Sequence, residues 1–258
     1  MEPAENGELI YALPTEGQPD CVKVFPYHLF PAAVDETLKD TIIAATYNYD
    51  EVARVRSGGL HALNPCRPLR AYVITKCHIT AARLLEGNGG HESAPGIAVT
   101  TESLPGVLSC SWIRTPDYYG ATCITSDLSV HTFKVEADSS NCDEDRAVCL
   151  HERYELFLEN SSDAVGLSLT PYECSTSLFA VTASDGTVYV VEEGLVSHKW
   201  YGAMKLNPSG LRKAHEVETW SSTFQPGNPN ILLTGADDSR IKVFDRRLGV
   251  APQHTLHW

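Results

Sequence analysis

The residues with the most chemical content lie near the end of the chain, in KAHEVETWSSTFQPGNPNILLTGADDSRIKVFDRR at 213–247. His215 can serve as a base or orient a partner, and Glu218, Asp237 and Asp238 supply carboxylates. A histidine with carboxylates suits activation of water against an ester, given donors for the oxyanion. Other routes lack their pattern. There is no G-x-S-x-G elbow. The pairs His91-Glu92, His151-Glu152 and His215-Glu216 lack the second His of H-E-x-x-H. The eight cysteines (21, 66, 77, 110, 123, 142, 149 and 174) form no C-x-x-C, and no His pair has zinc spacing. We therefore expect no metal and no cofactor. The thiols read as reduced, several of them small apolar residues on strands.

The elements that must hold these side chains follow from alternation. Ala214-His215 precedes an alternating run to Phe224. A Pro/Gly/Asn turn covers 225–230, a strand 231–234, a tight turn 235–238, and a third strand 240–244, closed by Asp245. This is the layout of one WD40 propeller blade, its Gly-His and Trp-Asp marks reduced to Ala-His and Phe-Asp. In such a blade the histidine donates to the turn aspartate, and a Ser/Thr on the second strand links them to a tryptophan. The set here is His215, Asp238, Thr234 and Phe244, and phenylalanine has no N–H for the last link. A structural role thus competes with a chemical one for His215, Thr234 and Asp238. The turn between the second and third strands and the residue before the first meet on one face of a propeller. That would gather His215, Glu218, Asp237 and Asp238. For Asp237 a solvated turn residue is an equal reading. A strand-start Glu218 beside Trp220 is uneconomical for packing alone and points to a site or partner role for the two, with ordinary core as the other reading of Trp220.

Upstream units repeat the pattern more loosely. A first, degenerate blade has a strand at 21–25, broken by Pro26 and Pro31, a β-rich run at 41–47, and strands at 69–75 and 81–85; 50–68 reads as an insertion and 87–95 as a loop. The second has strands at 107–113, 119–125 and 129–135, then an acidic loop at 137–145. The third has an opening outer strand at 153–158, then strands at 164–170, 178–183 and 187–192, with a turn at 171–176. Ser184-Asp185-Gly186 between β-branched runs signals a hairpin. Asp127, Asp185 and Asp238 recur at 185 − 127 = 58 and 238 − 185 = 53. These intervals exceed the roughly 40–45 residues of a WD40 repeat, and loops at 137–145 and 194–210 account for the excess.

The expectation is an all-β, WD40-type β-propeller of about four blades (about 21–100, 101–145, 150–200 and 211–247). The ring would be partial or open, with further C-terminal blades missing. Residues 1–20, acidic and broken by Pro and Gly, read as a flexible arm, and those after Asp245 can start an outer strand. The formal charge of −13, from 20 basic and 33 acidic residues, disfavours a nucleic-acid partner. There is no signal peptide and no 18-residue apolar stretch, so a cytoplasmic chain without a membrane partner is expected.

The run AH-x-x-E-x-W at Ala214, His215, Glu218 and Trp220, followed by Phe224, TGADD at 234–238 and FDRR at 244–247, resembles the diphthine methylesterase family. These are WD40 proteins of diphthamide synthesis, also called diphthine methyltransferase. The family pattern has Gly-Gly-Asp-Asp and Trp-Asp-Thr-Arg, so Ala236 and Phe244 depart from it while Arg247 matches its arginine. AATYNY at 44–49 is similar to the family's Gly-Thr-Tyr strand end. The resemblance implies hydrolysis of the methyl ester of methylated diphthine on elongation factor 2. His215, Asp237, Asp238 and Glu218 would be catalytic, and Trp220, Arg247 and Tyr47 would bind substrate. The other reading of the same features is a non-catalytic WD40 interaction scaffold.

Overall fold

The structure is a computed structural model, describing residues 18–26, 42–63, 71–75, 81–82, 97–98, 104–137, 148–158, 163–175, 177–202, 214–248 and 254–257. The chain is all-β, an arc of four sheets packed side by side like propeller blades. The first contains β1 (Gln18–Val24), β2 (Ile42–Asp50), β3 (Val55–Leu63), β4 (Ala71–Thr75), β5 (Ala81–Ala82) and β6 (Ile97–Ala98), ordered β1-β2-β3-β4-β6-β5. The second contains β7 (Val107–Arg114), β8 (Tyr119–Thr125), β9 (Ser129–Ala137) and β10 (Val148–Phe157). The third contains β11 (Gly166–Pro171), β12 (Leu178–Ala183), β13 (Val188–Glu192) and β14 (Leu195–Trp200). The fourth contains β15 (Thr219–Gln225), β16 (Asn228–Ala236), β17 (Arg240–Asp245) and β18 (His254–His257). Sheets two to four are antiparallel meanders, each strand pairing with its sequence neighbour.

Several expectations are corrected. The expected insertion at 50–68 contains a strand instead, because β3 occupies Val55–Leu63 and pairs with β2 along its whole length; residues 64–68 lie outside the described residues. Gly58 permits this, since a Cβ there would stand 1.9 Å from the Thr46 carbonyl oxygen. Residues 194–210 are not all loop, because β14 occupies Leu195–Trp200. The strand expected to open the third unit belongs to β10, the outer strand of the second sheet. The turn expected at 225–230 shrinks to Pro226-Gly227, with Gly227 at φ 71, and β16 starts at once. The strand expected at 81–85 is described only at 81–82. Residues 18–20, placed in the flexible arm, belong to β1. The rest of that arm, the loop at 87–95, residues 138–145 and residues 203–210 lie outside the described residues. After Asp245, β18 supplies the expected outer strand.

The cores lie between consecutive sheets. Phe25, Ile43, Leu60, Leu104, Trp112 and Phe133 pack the first against the second. Ile124, Val130, Leu169, Phe179 and Tyr189 join the second to the third, and Val190, Trp200, Phe224, Leu232 and Phe244 join the third to the fourth. Each large side chain so buried contributes on the order of 1.5–3 kcal/mol. The innermost strands also bond across these seams. Leu169 N–H donates to Ser109 Oγ at 3.2 Å, and Thr170 Oγ1 donates to the Ser222 carbonyl at 2.9 Å. Among the described residues no comparable packing joins the first sheet to the fourth, so the arc is open.

Candidate functional site

Three aspartates mark the turns between second and third strands, and all three do the same backbone work. Asp127 Oδ1 accepts from Ser129 N–H at 3.2 Å, Asp185 Oδ1 from Thr187 N–H at 2.9 Å, and Asp238 Oδ1 from Arg240 N–H at 3.2 Å. The residue after each is left-handed: Leu128 at φ 64, Gly186 at φ 80 and Ser239 at φ 56. A side chain that mimics a backbone acceptor stabilises such turns, which explains the recurring Asp.

In the fourth sheet this turn carries more. His215, just before β15, has Nδ1 at 3.0 Å from Asp238 Oδ2 and Nε2 at 2.7 Å from Thr234 Oγ1. His215 is fully buried, and the Asp238 side chain is 5% exposed. Burial holds His215 below the ordinary histidine range, against the opposing pull of Asp238. Burial also pushes Asp238 up, but the hydrogen bond from His215, the charge of Lys242 and a backbone hydrogen bond from Glu216 outweigh it and keep the carboxyl low. The set is therefore a neutral imidazole and an anion. Nδ1–H donates to Asp238, and Nε2 accepts from the Thr234 hydroxyl. Both ring nitrogens are engaged, so the structure presents His215 as an orienting group that turns no lone pair toward solvent.

Lys242 completes the patch. It lies opposite Thr234 in the β16–β17 ladder, is buried, and reaches Asp238 Oδ2 at 4.0 Å. Burial holds its ammonium below the ordinary lysine range. Sequence reasoning passed over Lys242. The signal was a lysine at an inward position of the alternating run RIKVF.

At the rim of this patch the side chains reach solvent. The Glu218 carbonyl accepts from Asp237 N–H at 3.1 Å, tying the lead into β15 to the β16–β17 turn. Asp237 is exposed and Glu218 half-buried. Trp220 is 50% exposed because a bulge between Thr219 and Ser221 takes it out of the ladder. Thr219, Ser221 and Ser222 pair with β16 while the indole stays in the open. His215, Glu218, Trp220, Asp237 and Asp238 thus converge at one end of the fourth sheet.

Two expected residues do not join them. Arg247 follows β17 at its far end, about 17 Å from the turn at the usual rise of a strand. It is held by Asp245, with Nε at 2.9 Å from Oδ1 and Nη2 at 2.6 Å from Oδ2. That pairing holds the Asp245 carboxyl at about 2. Tyr47 lies on β2 in the first sheet, its ring over Gly106, where an added Cβ would stand 2.4 Å from Cδ2. Among the described residues no cluster of His, Cys, Asp and Glu could hold a metal, and no helix is long and apolar enough to cross a membrane.

No protein-family model matches the sequence, and no curated protein matches it. Among solved structures, Sqt1 of Chaetomium thermophilum is similar, with a TM-score of 0.47 and 12% identity. The match covers 80% of this chain but only 41% of that one, so the chain spans less than half the length of that neighbour. At this level of likeness nothing about activity follows, and the propeller assignment stands on the four sheets and their seams.

Proposed function

We propose that the chain acts in hydrolysis of the methyl ester of methylated diphthine on elongation factor 2, in the cytoplasm. The observation that carries this reading is the rim of the fourth sheet. Trp220 stands open on a bulge, with Glu218 and Asp237 tied together beside the same turn. These are the positions at which the sequence resembles the diphthine methylesterase family. Diphthine carries a trimethylated, permanently cationic nitrogen. An indole face with nearby carboxylates is the chemistry that recognises such a group. Glu218 and Asp237 are the carboxylates of the set that reach solvent, so they are the groups able to activate a water against the ester carbonyl. Methanol leaves and the free carboxylate remains. His215, Asp238 and Thr234 hold the turn that aims them.

The test is methanol release from elongation factor 2 carrying methylated diphthine, with the wild-type chain and with Trp220→Ala, Glu218→Gln and Asp237→Asn. Wild-type turnover, reduced in all three variants, is the expected result. Unchanged turnover in all three would remove the proposed site.

A second reading, a non-catalytic interaction scaffold, is favoured by one observation: the histidine of the set is sealed, with both nitrogens engaged. Elongation factor 2 binding that Trp220→Ala weakens, with no methanol released, would select it.

A further inference from the structure

Three cysteines that take no part in the rim site meet where the first two sheets join. Cys21 lies on β1, Cys110 on β7, and Cys123 directly opposite Cys110 on β8. Cys21 is half-buried, whereas Cys110 and Cys123 are shut off from solvent. Cys21 Sγ lies 3.6 Å from the Cys110 carbonyl oxygen, and Cys21 packs against the apolar cluster that contains the Cys110 side chain. The seam around them is firm. Phe25 meets Trp112 edge-on at 4.9 Å between centroids, and Trp112 Nε1 donates to the Lys23 carbonyl at 3.1 Å. Two cysteines brought together across such a seam, one half-buried and one enclosed, have the arrangement of a peroxide-sensing thiol and its resolving partner.

We propose that Cys21 and Cys110 are a hydroperoxide-sensitive pair, with Cys21 taking the oxidant and Cys110 closing a disulfide that joins the first two sheets. In the first step the Cys21 thiolate attacks a peroxide oxygen. The O–O bond breaks, hydroxide leaves and takes a proton to become water, and Cys21 becomes a sulfenic acid. In the second step the Cys110 sulfur gives up its proton and attacks the Cys21 sulfur. The S–O bond breaks and a second water leaves. Two thiols and one hydrogen peroxide give one disulfide and two waters.

Selectivity follows from the surroundings. A carbonyl accepts only from the neutral thiol, so that contact favours Cys21 S–H. The Cys110 S–H beside it favours the Cys21 thiolate and, with Lys23, outweighs burial, holding Cys21 below the ordinary thiol range. Cys110 is pushed up by that same neighbour and by burial, and Cys123 by burial and by Glu152. Cys174, the other half-buried thiol among the described residues, is also raised by burial. The thiolate is the nucleophile, so Cys21 reacts first. Cys123 faces Cys110 across the ladder, but its suppressed ionisation keeps it a bystander.

The experiment treats the reduced full chain with hydrogen peroxide, blocks remaining thiols by alkylation, and maps peptides without reduction. A Cys21–Cys110 linked peptide should be the main product and should persist in Cys123→Ala. In Cys110→Ala the link should vanish and dimedone should trap Cys21 as its sulfenic acid. Iodoacetamide should label Cys21 about tenfold faster than Cys174. Cys21 remaining a thiol while other cysteines oxidise, or linking to a different cysteine, overturns the proposal. If Cys110→Ala does not fold, the wild-type and Cys123→Ala maps decide it on the same terms.

Discussion

The hydroxyl of Thr234 lies 2.7 Å from Nε2 of His215, and both residues are essentially without solvent contact. That bond fixes the other ring nitrogen on Asp238. One imidazole thereby ties together the entry to β15, the middle of β16 and the β16–β17 turn. A buried polar network stabilises when every member is satisfied and is costly when one is removed.

Removing the imidazole leaves a buried carboxylate and a buried hydroxyl without their partner. His215→Ala should cost about 2–4 kcal/mol of folding stability. Thr234→Val, which removes only the hydroxyl, should cost about 1–2 kcal/mol. Urea unfolding of the two variants checks the order. Equal losses would mean that the network does not act through the ring.

The same network sets a pH dependence. His215 is held below its ordinary value of about 6.5, so the unfolded chain binds more protons there than the folded one. Its contribution is therefore complete above about pH 6.5 and declines as pH falls below it. Asp238 is held below its ordinary value of about 3.8, so its contribution declines further as pH falls through that region. Stability should fall progressively on acidification from pH 7 to pH 3.5, and His215→Gln should flatten the upper part of the decline. Denaturant midpoints across that range measure it.

Gly202 tests the contact between the third turn and the segment leading toward the fourth sheet. A Cβ there would stand 1.7 Å from the Asp185 carbonyl oxygen, and Gly202 N–H donates to Thr187 Oγ1 at 3.2 Å. The atoms it would strike, in Asp185 and Gly186, are all backbone and cannot yield as a side chain can. Gly202→Ala should cost about 3 kcal/mol or more, or prevent folding, as seen by thermal unfolding. Gly227→Ala is the control: its φ of 71 adds a small strain, but nothing lies within 4 Å.

Arg246 clasps the third sheet to the fourth. Its guanidinium pairs with Glu192 and donates to the Pro229 carbonyl at 3.3 Å, and its own carbonyl accepts from His198 Nε2 at 2.9 Å. Glu192 is 46% exposed, so solvent screens the charge pairing. Arg246→Met should cost about 1 kcal/mol, and added salt should shrink the difference from wild type. Thermal unfolding at low and high salt separates charge from packing.

Trp220 predicts the opposite balance. Half of the indole is in solvent, so Trp220→Ala should change stability by less than about 1 kcal/mol while lowering turnover or partner binding. Denaturation and the methanol assay, run on the same preparation, check both halves.

The fourth blade was legible because its instructions are local. The alternation of β15 to β17, the Asp-Asp turn and the Ala-His entry lie within 35 residues (213–247), and the His215–Asp238–Thr234 bonds follow from them. β3 was misread because two glycines and scattered charges resemble a loop. Only pairing with β2, where a side chain at Gly58 would strike Thr46, shows why glycine is needed in that strand. What folding alone decided are the relations between sheets. Cys21 and Cys110 stand 89 residues apart, and His198 and Arg246 stand 48 apart, yet each pair bonds. Arg247 and Asp237 are ten residues apart but lie at opposite ends of one sheet. Sequence spacing determines which side chains share a strand face, because the backbone period is fixed. Which faces meet depends on burying apolar surface between sheets, an energy that no local window contains.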